Sequence, residues 1–241
     1  MAEIFRLSLR QLLGRWRLLV ILLLAALPTL LILLIRLLSE AELTFADDDI
    51  INPIIDGMVV GGILPIVTMT LATAAFGNEL EDKTLYYLVL KPVSRVSIVL
   101  AKLLATLVVA VPLVVASGVV ASALVGAETQ TLGTLALALA ASVTTYASIF
   151  TLAGLLTPRA LAYGLVYVLV WEGLLSTIVS GVRYLSVRGY TLALLHGLDE
   201  ESFAAFEQRV IEFPAAIVGT AVVIVAFFLL ALFRLRTMDV P

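Results

Sequence analysis

Phe76 to Lys102 reads FGNELEDKTLYYLVLKPVSRVSIVLAK, a charged and turn-punctuated segment between two apolar runs, Gly57 to Gly77 and Leu103 to Ala127. Gly77 and Asn78 close the first run. Glu79, Glu81 and Asp82 then sit where a new helix would begin, a position that suits acidic residues because the helix dipole is positive there. Thr84 to Leu90 is a dense run of Leu, Tyr and Val with no polar face. Pro92 stops it, because proline has no amide hydrogen and disfavours helical geometry at Lys91. A short helix that is apolar all round must bury itself against something. Two partners fit: the inner ends of its own spans, or a groove on another protein, with Tyr86, Tyr87 and Leu88 as the inserted ridge and flanking charges setting register.

Composition places the whole chain in a bilayer. It is 62% hydrophobic and 14% charged, with mean hydropathy +1.14, whereas soluble domains average about 25% charged residues. A helix crosses hydrocarbon in about 17 to 25 residues, and runs of that kind occur at Leu18 to Ile35, Gly57 to Gly77, Leu103 to Ala127, Leu132 to Leu156, Ala160 to Val182 and Pro214 to Phe233. They are too long, and too rich in Leu and Ala, for barrel strands, which alternate over about 10 positions. The expected fold is an all-α membrane protein, one domain over residues 1–241, with six transmembrane helices at about 18–38, 57–77, 97–127, 131–157, 160–182 and 214–234. An interfacial helix at 3–16, the central segment 78–95 and an outer amphipathic segment at 183–213 complete it.

Lys and Arg set the orientation, because cytoplasmic loops carry their excess. With the N-terminus inside, Arg6, Arg10, Arg15, Arg17, Lys83, Lys91, Arg95, Lys102, Arg159, Arg234 and Arg236 are cytoplasmic, eleven of the fifteen basic residues. Most carboxylates then lie outside, including Asp47, Asp48, Asp49, Asp56, Asp199, Glu200 and Glu201. Both termini are expected in the cytoplasm. The net charge of -3 sums two opposed faces and gives no sign of a nucleic-acid partner. The first apolar run extends beyond the about 7 to 15 residues of a signal-peptide core, so it reads as an uncleaved span. Cysteine is absent, which removes disulfides and thiolate metal sites.

Ahead of the first span, Phe5, Leu9, Leu12, Leu13 and Trp16 recur at helical spacing opposite Arg6, Arg10 and Arg17, the pattern of a helix lying in the headgroup region. Gly57, Gly61 and Gly62, and likewise Ala136, Ala140 and Ala141, form small-residue patches that would let helices approach closely within the chain or across a dimer. Pro65 and Pro112 interrupt helical bonding within spans. Glu172 is the one carboxylate inside a span, near its middle and beside Tyr163, Tyr167 and Trp171. It must be paired, hydrated or protonated there. With Tyr167 and Trp171 it is a candidate for lining a translocation path; a packing role, or a re-entrant turn through Gly173, fits the same position. In the outer connection, Asp199 caps an expected amphipathic helix with Phe203, Phe206, Val210 and Phe213 on one face. Thr191 to Leu195 has the composition to dip back into the bilayer, and His196 reads as a loop residue.

Glu79, Glu81, Thr84, Leu85, Pro92, Val93, Ser94, Arg95 and Lys102, in that order and spacing, resemble the type-2 ABC permease family. Lys83 departs from it, since the family often has Gly before Thr-Leu. The resemblance implies a six-span, non-catalytic subunit of an ATP-driven exporter of the cytoplasmic (inner) membrane, preceded by an interfacial helix. Segment 78–95 would then be a coupling helix that docks in a cleft of a separate ABC ATPase subunit, through Glu79, Glu81, Asp82, Thr84, Leu85, Tyr86, Tyr87, Leu88, Pro92 and Arg95. ATP and Mg2+ would be held on that partner, consistent with the absence of any G-x-x-x-x-G-K-[ST] phosphate loop in this chain. A second copy of the chain, or a paralogue, would complete a two-fold assembly.

An intramembrane enzyme is disfavoured, because the chain has no H-E-x-x-H motif and no Ser and His pair within the spans. No catalytic, cofactor-binding or metal-ligating residue is assigned. A subunit that transmits ATPase motion to an outer-side partner protein, without solute flux, fits the same topology.

Overall fold

Hydrocarbon offers no partner for a backbone amide, so apolar runs of this length satisfy their polar groups within helices. The computed structural model describes residues 2–39, 43–45, 47–85, 93–175, 184–209 and 211–238. In chain order it holds α1 (Ala2–Leu12), α2 (Arg15–Ser39), α3 (Asp48–Asn52), a π-helical segment Pro53–Ile63, α4 (Leu64–Glu81), α5 (Arg95–Leu124) and α6 (Thr129–Leu156). Then follow α7 (Ala160–Val166), a second π-helical segment Tyr167–Leu175, α8 (Val187–Leu198), a 3-10 turn Ala204–Arg209 and α9 (Phe213–Thr237). Strands are absent among the described residues.

Among the described residues, five helical stretches are long and apolar enough to cross a membrane: Trp16–Leu38, Asp49–Glu81, Arg95–Leu124, Thr129–Leu156 and Phe213–Thr237. The expected span at 160–182 is the exception. Its described part, Ala160–Leu175, is a shorter apolar helix, and residues 176–183 lie outside the described residues.

The centre of the bundle is α4 against α6, with α5 packed on both. Close approach is set by Gly154, where an added Cβ would lie 2.5 Å from the Thr73 carbonyl oxygen. Several hydroxyls within these helices return to their own backbone: Thr73 donates to the Met69 carbonyl at 2.7 Å, Ser142 to Ala138 at 2.7 Å and Thr145 to Ala141 at 2.9 Å, whereas those of Thr68, Ser117 and Thr151 are buried with no partner among the described residues. Such bonds let hydroxyl side chains sit in an apolar bundle without a desolvation loss. The most exposed spans are α2 and α9, whose outward Leu and Val side chains face lipid in a membrane-crossing helix.

The two ends of the bundle differ. At one end, hereafter the basic end, Ile4, Phe76, Leu85, Ile98, Leu155 and Leu235 share one apolar cluster, so α1 lies beside the last turns of α9. The buried residues of α1 are Ile4, Ser8 and Leu12, an i, i+4 row turned to α5 and α4. Trp16 and Leu13, expected on the inserted face, are exposed. The opposite, acidic end carries Asp47, Glu128, Asp199 and Glu201.

In the connection before α9, the regular helix lies upstream of the stretch expected to form one. Ser186 caps α8 by accepting from the Gly189 amide at 3.0 Å, and His196 falls in the last turn of this helix rather than in a loop. From Asp199 onward there is only the short 3-10 turn, although Phe203 and Phe206 are buried as their spacing requires. The reason is local. Asp199 accepts from the Thr131 hydroxyl at 2.8 Å and from the Ser202 amide at 3.2 Å, which ties the chain to α6 and turns it. Val210 lies outside the described residues.

Burial raises the Asp199 carboxyl pKa, but the hydrogen bonds from Thr131 and Ser202 together outweigh it and hold the value below its ordinary 3.8. A carboxylate with a depressed folded-state pKa contributes stability above the ordinary range and loses it as pH falls through the lowered value. Thermal midpoints of the purified chain are therefore expected to fall more steeply below about pH 4 than those of Asp199→Asn. Parallel acid limbs for the two proteins would remove Asp199 as the cause.

Candidate functional site

Two polar sites are built into this apolar bundle, one at each end of the second long helix. At the basic end, Ala75, Phe76 and Glu79 lie on one face of α4, at i, i+1 and i+4. Lys102, two turns into α5, reaches this face with no exposed side-chain surface. Its ammonium lies 2.8 Å from Glu79 Oε1, donates to the Ala75 carbonyl, and stands 4.7 Å from the centroid of the Phe76 ring. Glu79 Oε2 is buried without a partner among the described residues.

This ion pair closes the base of the segment between α4 and α5. Lys83 ends α4 with φ of 56°, a left-handed conformation that favours glycine. The Thr84 amide returns to the Glu79 carbonyl at 2.9 Å, Leu85 is buried in the basic-end cluster, and Ser94 caps α5 by accepting from the Ser97 amide at 3.2 Å. Glu81, Asp82 and Thr84 are exposed and Arg95 is half-buried. Tyr86, Tyr87, Leu88 and Pro92 lie outside the described residues.

The second site surrounds Glu172, of which 1% is exposed. Its carboxylate accepts from Tyr167 Oη at 3.0 Å, from the Val187 and Arg188 amides at 3.0 and 3.3 Å, and from the Ser186 hydroxyl. The two amides can only donate, and the two hydroxyls can donate as well. The two amides are the first of α8. Glu172 thus sits at the N-terminal end of that helix, where its carboxyl oxygens satisfy amides that have no intrahelical partner. Nearby, Trp171 Nε1 donates to the Leu185 carbonyl at 3.2 Å, and the Tyr167 ring meets Phe150 edge-on, their centroids 6.3 Å apart.

Arg188 extends the site. Its Nε and Nη2 lie 2.8 and 2.7 Å from Asp56 Oδ1, and its Nη1 is 3.5 Å from the Glu172 carbonyl oxygen. Both carboxylates stand in π-helical segments, Asp56 in Pro53–Ile63 and Glu172 in Tyr167–Leu175. The first is flanked by proline, and Pro65 just beyond it cannot donate a ladder bond. Gly61 lies against the same pair: a Cβ there would be tight on the Asp56 carbonyl oxygen at 3.1 Å and in ordinary contact with the Arg188 guanidinium carbon at 3.5 Å. This member of the small-residue patch therefore faces a side chain of its own protein.

Hydrogen bonds also fix the direction of α8. Thr191 Oγ1 bonds Ser142 Oγ at 2.7 Å, while Asp199, just past the end of α8, bonds Thr131. The helix runs antiparallel to α6, with its start about halfway along α6 and its end at the acidic end. In a bilayer crossed by α6, the site around Glu172 therefore lies near mid-depth.

Sequence reasoning singled out Glu172, Tyr167 and Trp171 but missed Asp56, Ser186 and Arg188. Asp56, a lone carboxylate just after Pro53 at the edge of an apolar run, was the available signal. Its partner lies 132 positions away, so the pairing itself had none.

Long apolar helices joined by buried ion pairs define this chain as a multi-pass membrane protein. The family model described as "ABC-2 family transporter protein" matches residues 13–187, and the chain belongs to that family. It is accordingly a transmembrane component of an ABC transporter. No curated protein matches the sequence.

Proposed function

We propose that this chain is the permease subunit through which a separate ABC ATPase drives export across the cytoplasmic membrane, with ATP and Mg2+ bound on the ATPase. In this reading the basic end is cytoplasmic, and the segment between α4 and α5 is the coupling helix. The observation that carries it is the buried Lys102–Glu79 pair at the base of that segment, in a chain of the ABC-2 family. A docking helix transmits force only if its root is stiff. Here α4 and α5 are joined at that point by a charge pair with little access to water.

The reading takes six crossings, which the connectivity supports. Helix α1 and the last turns of α9 share the basic-end cluster, and α9 starts where Gly197, near the end of α8, meets Phe213. The sixth crossing would be the path from Ala160 to Phe213, with Ala160–Leu175 and α8 as its described parts. Glu172, Tyr167 and Trp171 enter as the seat of α8. Two permease chains, this one with a copy or a paralogue, would present two coupling helices to one ATPase dimer.

A second reading is transmission of motion to an outer-side partner; the acidic end that would face it carries an open recess of about 550 Å³ lined by Phe45, Glu128, Gln130, Thr131, Asp199 and Glu201.

The test is co-purification with an ABC ATPase subunit of the same genome, comparing the native chain with a Tyr86→Ala, Tyr87→Ala, Leu88→Ala variant. The native complex is expected to form and hydrolyse ATP, and the variant to lose the ATPase. Failure of the native chain to hold any such ATPase sinks the proposal. Flux in vesicles separates export from transmission of motion.

A further inference from the structure

Asp56 and Glu79 stand near opposite ends of one continuous helical stretch, Asp49–Glu81, of 33 residues. Each is buried, at 5% and 8% exposure, and each holds a cation from a different element. Glu79 holds Lys102 of α5 at the basic end; Asp56 holds Arg188 of α8 within the bundle.

We propose that this second long helix is the transmission rod of the subunit, and that Asp56 and Arg188 are positioning residues, the pin through which its movement reaches α8. The inference rests on the permease reading, since it takes the motion to enter at the Glu79 end.

Three features support it. Along α4 the rod is stiff, wedged against α6 where Gly154 meets the Thr73 backbone; close-packed helices slide as bodies and do not deform smoothly. Beyond Leu64 it changes to the π-helical winding of Pro53–Ile63, which contains Asp56. That is a winding found at functional sites and able to absorb a local shift. Finally, α8 is held at its first turn by two carboxylates from two neighbours, Asp56 of the rod and Glu172 of the preceding helix. A shift of the rod relative to Glu172 must therefore tilt or draw α8, because the Asp56–Arg188 pair, with 7% and 14% of its side chains exposed, is poorly screened by water.

The chain has no cysteine, so one introduced thiol reports alone. In the full permease–ATPase complex in lipid nanodiscs, Glu201→Cys, an exposed position just beyond α8, is labelled with a maleimide with and without ATP. The labelling rate is expected to change severalfold with ATP in the Glu201→Cys chain and in its Arg188→Lys derivative, which keeps the charge. It is expected to stay unchanged in Arg188→Gln and Asp56→Asn, although both still bind the ATPase. An intact ATP response in Arg188→Gln and Asp56→Asn overturns the pin. A Glu201→Cys complex that hydrolyses ATP with no labelling response also overturns it and leaves the permease reading standing. A chain that binds no ATPase removes both. Should Arg188→Gln fail to accumulate, Asp56→Asn against Asp56→Glu makes the same comparison from the other side of the pair.

Discussion

Lys102→Met is expected to lower the stability of the chain by about 3–5 kcal/mol, the loss that follows when one partner of a buried ion pair is removed and the other is left uncompensated. Glu79 would keep a carboxylate with little access to water, one of whose oxygens already lacks a partner. The Ala75 carbonyl and the Phe76 ring would lose the ammonium as well. Lys102→Met combined with Glu79→Leu should recover most of that loss, because apolar replacement of both partners is often neutral or better. The informative result is the function of this double variant. If the pair transmits force from the coupling segment, the stable double variant binds the ATPase but does not couple hydrolysis to movement. Native stability in Lys102→Met alone, measured by thermal unfolding in detergent, would show that the pair does not hold the two helices together.

Glu172→Gln has the next largest expected effect, about 3 kcal/mol, on the scale of unsatisfied buried donors. Glutamine keeps one acceptor oxygen, enough for Tyr167 and the Val187 amide at the Oε1 position, but places an NH2 where Oε2 accepts from the Ser186 hydroxyl and the Arg188 amide, and that amide can only donate. The start of α8 should detach from the helix that precedes it. Trp171 reports this directly, because its indole bonds the Leu185 carbonyl in the same contact. Since Trp16 is the other of the two tryptophans, a Trp16→Phe background leaves Trp171 as the sole emitter. Its emission should shift to the red in Glu172→Gln and less in Glu172→Asp. An unshifted spectrum and an unchanged melting temperature would rule out the seat at Glu172.

Phe76 to Lys102 was legible only in part. Gly77 and Asn78 do not end the second span: α4 runs on to Glu81, so Glu79 and Glu81 close that helix instead of opening a new one. The burial of Phe76 and the Glu79–Lys102 pair carry the helix past its glycine. The rest of the apolar run from Tyr86, with Pro92, lies outside the described residues. The long helices were legible because hydrocarbon leaves the backbone one solution, so hydropathy and length suffice for five of them. The stretch from Ala160 to Phe213 was not. Its hydrophobicity predicts a full span and then an amphipathic helix from Asp199. Among the described residues the first helix reaches Leu175, with 176–183 outside them, and in place of the amphipathic helix there is a helix from Val187 that starts beside Glu172 and a 3-10 turn after Asp199.

Composition and the placement of Lys and Arg along the chain suffice to put this protein in a membrane and to mark the basic end of its bundle. What Glu172 and Asp56 hold can be read only from the folded chain. A buried carboxylate is stabilised by whatever donors reach it: for Glu172 the amides of a helix begun more than a dozen positions later, for Asp56 an arginine 132 positions away. Which donors arrive depends on how the helices pack, and no local pattern carries that information.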